Sequence, residues 1–534
     1  MGLEVNLDSI RALEKQIQEG KGDAIKLKRA RNSLLNISTR VPPEVLGHIF
    51  VWILFREAGY SLDSPGRFDG LPEGSYNFLL VCHHWFEVAS RTPELWSFWG
   101  DTIQDWKNLH HRSRSGPLDL VLYEPGYYLN NLGGPLRDAL RSRVVQGNIR
   151  QVHLVSYDHD TLTSIISSLT PNGEGGQNEN IESIDWQNEG FGPVDASNFF
   201  SQSRLSRLCL LDLCGSFRIS SWDGLGSRTT LLTALSLDLT ESPPSSTPTT
   251  SHLLSILTSN PNLRELRLSG AAIPNDADGS TSKVSLRNLK SLSLTGEVRR
   301  LFKLLHRLIL PQALDEINLS GSNPTVEDVS QTLAPYMRGY FRRDTRFQNP
   351  LEVSSSSSFG IILISVGVVC ARATAGAPRV SLTVVLRPGC PPDVVEQFFV
   401  NLAAPIPREP VVSFTANLNV KLPEDLLVAM PNIETLTIWD VELSKGFLQP
   451  DPDGPHAEKK LLPSLRSLSL GDITVEGGNW GHLTGYLAHQ TSNGQIISLR
   501  LFGDFPYIRS EVVNEIKNLV GEVIYDQSWE GRRE

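Results

Sequence analysis

Cysteine is scarce in this sequence, and its spacing does not indicate disulfide or metal chemistry. The 534 residues include five cysteines, none in a C-x-x-C pair: Cys82, Cys209, Cys214, Cys370 and Cys390. An odd, scattered set argues against both a disulfide framework and a zinc ribbon. We therefore expect a protein of a reducing compartment.

The chain also lacks a segment that would direct it to a membrane. The apolar run FGIILISVGVVCA, residues 359–371, is shorter than the roughly 20 residues that a spanning helix needs. Its β-branched residues predict a buried strand instead. The first residues, MGLEVNLDSI, have no apolar core typical of a secretory signal, and Asn6 departs from the myristoylation pattern. We expect a cytoplasmic or nuclear protein without a membrane partner.

Positive charge is in deficit. The net charge is −10, whereas binding of nucleic acid needs a clustered excess of Lys and Arg, so we expect no nucleic-acid partner. One basic cluster does occur in a helical pattern, at Lys26, Lys28, Arg29 and Arg31. It is interpreted as a solvated helix face, with a nuclear-import patch as the alternative.

Sequence motifs of catalysis and cofactor binding are missing as well. The chain has no G-x-x-x-x-G-K-[ST], G-x-G-x-x-G, H-E-x-x-H or G-x-S-x-G sequence. The histidine-containing stretches at 82–84, 110–111 and 153–160 lack metal-ligand spacing or a partner motif. We therefore expect a non-catalytic protein without a metal or cofactor.

Short helical patterns are present in the first hundred residues. Apolar residues recur at helical spacing within 7–35, and again from VPPEVLGHIF, 41–50, where a helix tolerates prolines in its first turn. Four glycines and two prolines in 56–75 predict a loop. Helical spacing returns at 78–89 and is followed by a short helix at 92–96. Because so small a unit is marginal alone, we expect it to rest against a partner or the next domain.

Beyond residue 115 one pattern repeats, apolar-x-x-apolar-x-apolar. Successive starts within each of two blocks are 24 to 32 residues apart, and they are Ile149, Ile181, Leu205, Leu232, Leu263, Leu289 and Leu314, then Ile433, Leu465 and Ile496. This period accommodates one strand and one helix, and such units stack into a parallel sheet. The sequence therefore predicts an α/β fold.

Residues 320–430 interrupt the repeats. Here the sequence predicts a helix after Pro324, a hairpin within 351–386 and a strand near 411–418. Whether these segments continue the same sheet or form an inserted lobe is left open by the sequence.

The N-terminal helical stretches resemble a known family. VPPEVLGHIFVWI followed by FLLVCHHWFEVASRTPELW is similar to the F-box, with its Leu-Pro-x-Glu helix start, Val-Cys-x-x-Trp helix and terminal Leu-Trp. Val41 replaces the usual Leu, and the spacer is longer than is typical. The repeats resemble leucine-rich repeats, and the whole chain is similar to fungal F-box proteins with irregular repeats. No Asn lies eight residues after any repeat start, so we expect an irregular solenoid.

This resemblance implies an organisation and a role. The expected domains are an N-terminal helical segment at 1–38, an F-box at 39–104 with an inserted loop at 56–75, and a solenoid at 105–534 with a parallel sheet on its concave face. An F-box docks on a Skp-type adaptor, which connects to a cullin scaffold, while the repeats bind a substrate protein for ubiquitination. By resemblance, the adaptor-binding residues are Pro42, Pro43, Leu46, Ile49, Phe50, Val81, Cys82, Trp85, Leu95 and Trp96. The alternative is a repeat scaffold whose F-box-like helices only cap the solenoid.

The repeat pattern also selects a candidate substrate face. Residues two, four and six positions after each start leave the strand opposite the apolar positions. In most repeats these residues are small and polar, but the last repeats carry Trp439, Arg500 and Phe502. Because interfaces are enriched in aromatic residues and Arg, these three are the candidate substrate-binding residues.

Overall fold

The structure is a computed structural model. The residues that it describes are 7–19, 23, 26–28, 30–31, 41–57, 77–96, 98–100, 117–123, 140–141, 148–170, 178–220, 222–239, 242–243, 246–274, 282–311, 314–322, 325–343, 351–356, 362–370, 379–386, 397, 400–401, 403, 406–407, 410–417, 427–428, 430–439, 442–443, 462–475, 480–491, 496–503 and 508–525. Two compact units are formed, unit 1 by Met1–Pro248 with Ser255–Asn260 and unit 2 by Thr249–Leu254 with Pro261–Glu534.

Helices of the described residues have the following bounds: α1 Leu7–Gln18, α2 Pro43–Glu57, α3 His83–Ser90, α4 His159–Leu169, α5 Ser197–Gln202, α6 Trp222–Arg228, α7 Thr250–Ser259, α8 Val298–Leu305, α9 Val326–Asp328, α10 Ala334–Arg343, α11 Gly481–Thr491 and α12 Ser510–Leu519. Single 3-10 turns span Asn77–Leu80 and Pro93–Trp96. The predicted helix at 41–54 is thus observed, whereas the one predicted at 78–89 is divided into a 3-10 turn and the helix α3, and 92–96 contains a 3-10 turn. Most of the predicted loop at 56–75 lies outside the described residues, as does most of 18–40.

The strands of unit 1 form a parallel sheet. They are β1 Phe98–Gly100, β2 Leu118–Tyr123, β3 Ile149–Ser156, β4 Ser183–Asn188, β6 Leu210–Gly215 and β8 Ala234–Asp238, paired in that order. Two short strands, β5 Val194–Asp195 and β7 Phe217–Arg218, pair separately. The strand–helix repeat therefore builds the parallel α/β sheet that the sequence predicts.

The main strands of unit 2 form a longer sheet. They are β9 Glu265–Ser269, β11 Ser291–Glu297, β13 Glu316–Ser322, β14 Leu351–Ser356, β15 Ile362–Cys370, β16 Arg379–Leu386, β17 Val411–Asn417, β18 Thr435–Trp439, β20 Ser467–Gly471, β22 Ser498–Phe502 and β23 Glu522–Tyr525. Short parallel pairs are formed by β10 Val284–Ser285 with β12 Leu308–Ile309, and by β19 Glu442–Leu443 with β21 Thr474–Val475.

The interrupted region continues the sheet of unit 2. Strands β14, β15 and β16 form an antiparallel meander, in which β16 pairs parallel with β13 and β14 pairs parallel with β17. Within the described part of unit 2, β15 is thus the one reversed strand of the main sheet. It contains most of the apolar run 359–371, which confirms the strand predicted there. The predicted hairpin is therefore part of a three-stranded meander and not a separate lobe.

One repeat was predicted with the wrong register. Most other repeat strands begin two residues after the repeat start, but β6 begins at Leu210 and not at Arg207. Leu205 and Leu208 are both buried, and the unit that matches the strand starts at Leu208. The leucines fit the pattern in two frames, 205–208–210 and 208–211–213, so the sequence alone did not separate the two.

Buried side-chain amides link successive turns of unit 1. Asn188 lies one position earlier than the repeat pattern expects, and its Nδ2 donates to the carbonyl oxygens of Gly192 and Ser216, each at 2.8 Å. The Oδ1 of buried Asn260 accepts from the backbone N–H of Leu232 at 2.9 Å. These bonds supply side-chain partners to backbone groups of neighbouring turns. The search eight residues after each repeat start did not include these two positions.

Local sequence explains how the helices pack on the sheet. In α4 the side chains of Leu162, Ile165, Ile166 and Leu169 are buried, at the i, i+3, i+4, i+7 spacing of one helix face. Asp158 caps this helix by accepting from the N–H of Asp160 at 3.1 Å. Alternation along the strands buries the leucines of the repeat and leaves the intervening polar residues on the other face, as in β9 and β18.

Candidate functional site

The N-terminal helical cluster, residues 41–57 and 77–96, has a small core of its own. Leu46, Phe50 and Leu54 form a buried stripe at i, i+4 and i+8 along α2. The ring centroids of Phe50 and Trp85 lie 4.9 Å apart, which joins α2 to α3. The indole N–H of buried Trp96 donates to the carbonyl of Ala89 at 2.7 Å, so the terminal turn is fixed against α3.

A glycine permits close packing within this cluster. A Cβ atom at Gly47 would lie 2.8 Å from Oγ1 of Thr92, too close for ordinary contact. The Thr92 hydroxyl is itself held by donation to the carbonyl of Val88 at 2.9 Å. Thr92, the residue before the 3-10 turn Pro93–Trp96, therefore lies directly against the backbone of α2.

A second apolar stripe of the cluster faces solvent. Val45, Ile49 and Trp52 follow one another at i, i+4 and i+7 on α2 and expose 48%, 41% and 55% of their surfaces. The large apolar side chains of Leu80, Val81 and Phe86 are exposed too. Helix α2 is thus apolar on its buried side and on an exposed side, a pattern expected of a helix covered on both.

The structure separates the ten predicted adaptor-binding residues into two groups. Pro42, Pro43, Ile49 and Val81 are exposed, and Cys82 and Trp85 are half-buried. The other four, Leu46, Phe50, Leu95 and Trp96, are buried in this chain. They hold the cluster together, and a direct contact of these four with a partner, as expected from the resemblance, does not fit their burial.

Sequence reasoning missed Val45, Trp52, Leu80 and Phe86 as surface candidates. The i, i+4, i+7 spacing of Val45, Ile49 and Trp52 was a signal for a second stripe. However, periodicity could not show which stripe is covered, because the residues of both are apolar.

The three residues predicted as a substrate face in unit 2 come together. The rings of Trp439 on β18 and Phe502 on β22 meet edge to face, with centroids 4.3 Å apart. The guanidinium carbon of Arg500 lies 5.9 Å from the Phe502 ring centroid, within the range of a cation–π contact. Trp439 is half-buried, Phe502 buried and Arg500 exposed, so the cluster presents an aromatic edge and a cation to solvent.

Gly471 allows the two aromatic rings to meet. It lies on β20, the strand between β18 and β22, and pairs with Phe502. A Cβ atom at this position would overlap the Phe502 ring. The absence of a side chain on the middle strand therefore leaves the space in which Phe502 reaches Trp439.

The polar residues on the sheet of unit 1 are differently arranged. Buried Asp119 accepts two hydrogen bonds from Arg150, at 3.0 Å from Nε and 2.5 Å from Nη2. On the neighbouring strands Nδ1 of His153 lies 2.6 Å from Oδ2 of Asp185, and both side chains are buried. Asp119 is thus bonded to Arg150, and Asp185 to His153, within the unit.

A thiol on the same sheet is poorly suited to catalysis. Burial, assisted by the carboxylates of Asp238, Asp212 and Asp185, raises the pKa of Cys214 to about 11. Burial also raises the pKa of Cys209. A thiolate is the nucleophilic form, so neither thiol is activated at neutral pH.

Among the described residues, one group brings three possible metal ligands together. Ligand atoms of Asp158, His159 and Asp160 lie within 4.8 Å of one another. The Asp158 carboxylate is the cap of α4, and the hydrogen bond from Thr161 is the largest of the contacts that lower its pKa. Both aspartates are exposed, so the arrangement is that of a helix start.

The fold and the surfaces define a mixed α/β protein with a parallel repeat sheet and a helical cluster that exposes apolar side chains. No described helix is both long and apolar enough to cross a bilayer. No protein-family model matches the chain, and no curated protein matches it either.

Proposed function

We propose that this protein is the substrate-recognition adaptor of a cullin-type (SCF) ubiquitin ligase. The helical cluster docks on a Skp-type adaptor, and the strand repeats bind the substrate protein. The observation that carries the proposal is the exposed stripe of Val45, Ile49 and Trp52 on a helix whose opposite side is already buried. Large exposed apolar side chains in one place are typical of a protein interface, and Trp is enriched among residues that dominate binding energy.

The proposed docking surface differs in part from the ten residues expected from the resemblance. It consists of the exposed Pro42, Pro43, Val45, Ile49, Trp52, Leu80, Val81 and Phe86, with Cys82 and Trp85 at its half-buried border. Leu46, Phe50, Leu95 and Trp96 support it from beneath. The cullin scaffold is then reached through the adaptor, and ubiquitin transfer is performed by other subunits. This non-catalytic role agrees with the raised pKa of Cys214.

A second candidate is a repeat scaffold whose helical cluster only caps the sheet. The connection from the cluster to the sheet favours this alternative. Trp96 is followed within two residues by β1, which pairs with β2 along Phe98, Trp99 and Gly100. A helical cluster that only capped the sheet, however, would not account for the exposed apolar stripe of α2.

In unit 2 the cluster of Trp439, Arg500 and Phe502 is the proposed contact with the substrate. Its edge-to-face aromatic pair and exposed guanidinium combine the residue types that dominate protein interfaces. The proposed place of action is the cytoplasm or the nucleus, where ubiquitin ligases of this kind operate.

Co-purification with a co-expressed Skp-type adaptor tests the docking half. We expect the intact chain to retain the adaptor and the double variant Ile49→Glu, Trp52→Glu to lose it, because two charges would have to be buried in an apolar contact. Leu231→Glu is the matched control, since Leu231 is a comparably exposed apolar residue of unit 1, at 45%. If the intact chain does not bind the adaptor, the scaffold function is the better one; if the double variant binds as well as the control, the surface is wrongly placed.

A further inference from the structure

Two arginines occupy the same position of the repeat in unit 2, four residues after the repeat start. Arg267 follows Leu263 and is held by an ion pair, with Nη2 3.7 Å from Oε2 of Glu265. Arg500 follows Ile496 and is exposed, and within the described residues no carboxylate forms an ion pair with it. Arg267 thus has a carboxylate beside it, whereas Arg500 has none among the described residues.

The surroundings of Arg500 contain hydrogen-bond donors and an aromatic ring. On the adjacent strands Arg500 pairs with Ser469 of β20, and Ser469 pairs with Thr437 of β18. The nearest carboxylate in the register, Glu522 on β23, lies opposite Ser498 and not opposite Arg500. A guanidinium has five donors and no acceptor, so a ligand group that binds Arg500 is expected to be an anion.

The distance between the cation and the aromatic pair sets the spacing of a ligand. The Arg500 guanidinium carbon is 5.9 Å from the Phe502 ring centroid. In an extended peptide, side chains two residues apart point to the same side and are separated by about 6.6 Å. One peptide segment can therefore place a carboxylate on Arg500 and an apolar side chain against Trp439 and Phe502, provided that one residue separates them.

We propose that this face recognises an extended acidic segment of the substrate protein with the pattern apolar-x-Asp/Glu, in this order or reversed. The carboxylate accepts hydrogen bonds from Arg500, and the apolar side chain packs on the Trp439–Phe502 pair. This inference rests on the proposed substrate-recognition function and names the chemistry of its substrate. The local cation is needed because the chain as a whole, with a net charge of −10, does not attract acidic segments.

Fluorescence anisotropy with three labelled nine-residue peptides tests the spacing on the full chain. All three are acetylated and amidated, so that chain ends contribute no charge, and otherwise contain Gly and Ser. The first has phenylalanine in the fourth and glutamate in the sixth place, the second has glutamate moved to the fifth place, and the third has glutamine in the sixth. We expect the first peptide to bind at least about tenfold more tightly than the other two. The second peptide misplaces the charge-assisted hydrogen bond, and the third lacks it.

Variants of the two arginines provide the matched comparison. Arg500→Gln is expected to weaken binding of the first peptide at least about tenfold, so that its affinity equals that of the glutamine peptide. Arg267→Gln should leave the affinity for the first peptide unchanged. The inference is overturned if the first peptide does not bind, if the three peptides bind equally, or if Arg500→Gln has no effect. Adaptor co-purification is measured on the same preparations. If the intact chain retains the adaptor but does not discriminate among the peptides, this inference alone is overturned; if the intact chain discriminates among them but does not retain the adaptor, the ligase role alone is overturned.

Discussion

The sheets of the two units are built from the same strand–helix repeat but treat their charged residues differently. In unit 1, Arg150 is paired with buried Asp119, and His153 with Asp185. In the last strands of unit 2, Arg500 has no such partner in the described chain and lies beside Phe502. Charges that are satisfied internally contribute to folding, whereas a charge left at the surface is available for binding. Substitutions in the two units should therefore affect different properties.

The largest effect on stability is expected for Asp119→Ala in unit 1. The substitution removes the buried carboxylate whose two oxygens accept from the half-buried guanidinium of Arg150. We expect the free energy of unfolding to fall by about 3 kcal/mol. Urea unfolding of the full chain, followed by circular dichroism, measures it. A loss near zero would mean that the two units do not differ in the way described.

Asn188→Ala should have the next largest effect. It removes the donor to the carbonyl oxygens of Gly192 and Ser216 and the acceptor for the buried N–H of Gly190. We expect a loss of about 2 kcal/mol in the same unfolding experiment. Asn198→Ala, at an exposed position of α5, is the control and should change little. Equal effects of the two variants would contradict a special role for Asn188.

In unit 2, Gly471→Ala should cost about 1 kcal/mol and disturb the aromatic pair. The new methyl group would meet the Phe502 ring, which must turn away from Trp439. Near-ultraviolet circular dichroism reports the change in aromatic packing, and urea unfolding reports the stability. Gly485→Ala is the control, because nothing lies within 4 Å of its added Cβ. That helical position should become slightly more stable. An unchanged near-ultraviolet spectrum of Gly471→Ala would show that the rings do not meet over this residue.

Arg500→Gln should change stability least among these substitutions, by less than about 0.5 kcal/mol. Its guanidinium is exposed and has no ion pair to lose in the described chain, so its removal costs little. Thermal unfolding of Arg500→Gln and of Arg150→Gln compares the two sites, because Arg150 donates to a buried carboxylate. Equal destabilisation by the two variants would remove the distinction between the units.

The Cys214 thiol should make stability depend on pH, and this dependence appears only in alkali. The pKa of its thiol is about 11 in the folded chain against 9.0 ordinarily. Because the folded-state pKa is raised, the thiol contributes stability that is present below pH 9 and is lost as the pH rises towards 11. The stability difference between the intact chain and Cys214→Ala should be constant below pH 9 and change from there to 11. A difference that stays constant over that range would contradict the effect of burial and nearby carboxylates.

Much of the fold could be predicted from the sequence because its repeat is strongly patterned. The parallel α/β sheet and the convergence of Trp439, Arg500 and Phe502 follow from positions within the repeat. The strands of the interrupted region follow from their own apolar patterns. Strand β2 was missed because its leucines alternate and do not follow the repeat spacing. The order of β14, β15 and β16 could not be predicted either, since a hairpin pattern does not determine which neighbouring strand pairs with each of its edge strands.

The candidate surfaces depended more on tertiary structure. Neighbouring residues Val45 and Leu46 are both apolar, yet one is exposed and the other buried. Only the packing of Phe50 on Trp85 decides which side of α2 is covered. Likewise, the ion pair of Arg267 and its absence at Arg500 in the described chain depend on which side chains lie next to each strand.

The reversed strand β15 has a consequence for how such a chain can evolve. The outer strands of the meander, β16 and β14, both run in the direction of their neighbours β13 and β17. A whole meander can therefore be gained or lost between two parallel edges without inverting any other strand. Relatives of different length are expected to differ at this position. Insertion of three strands here leaves the direction of the remaining repeats unchanged.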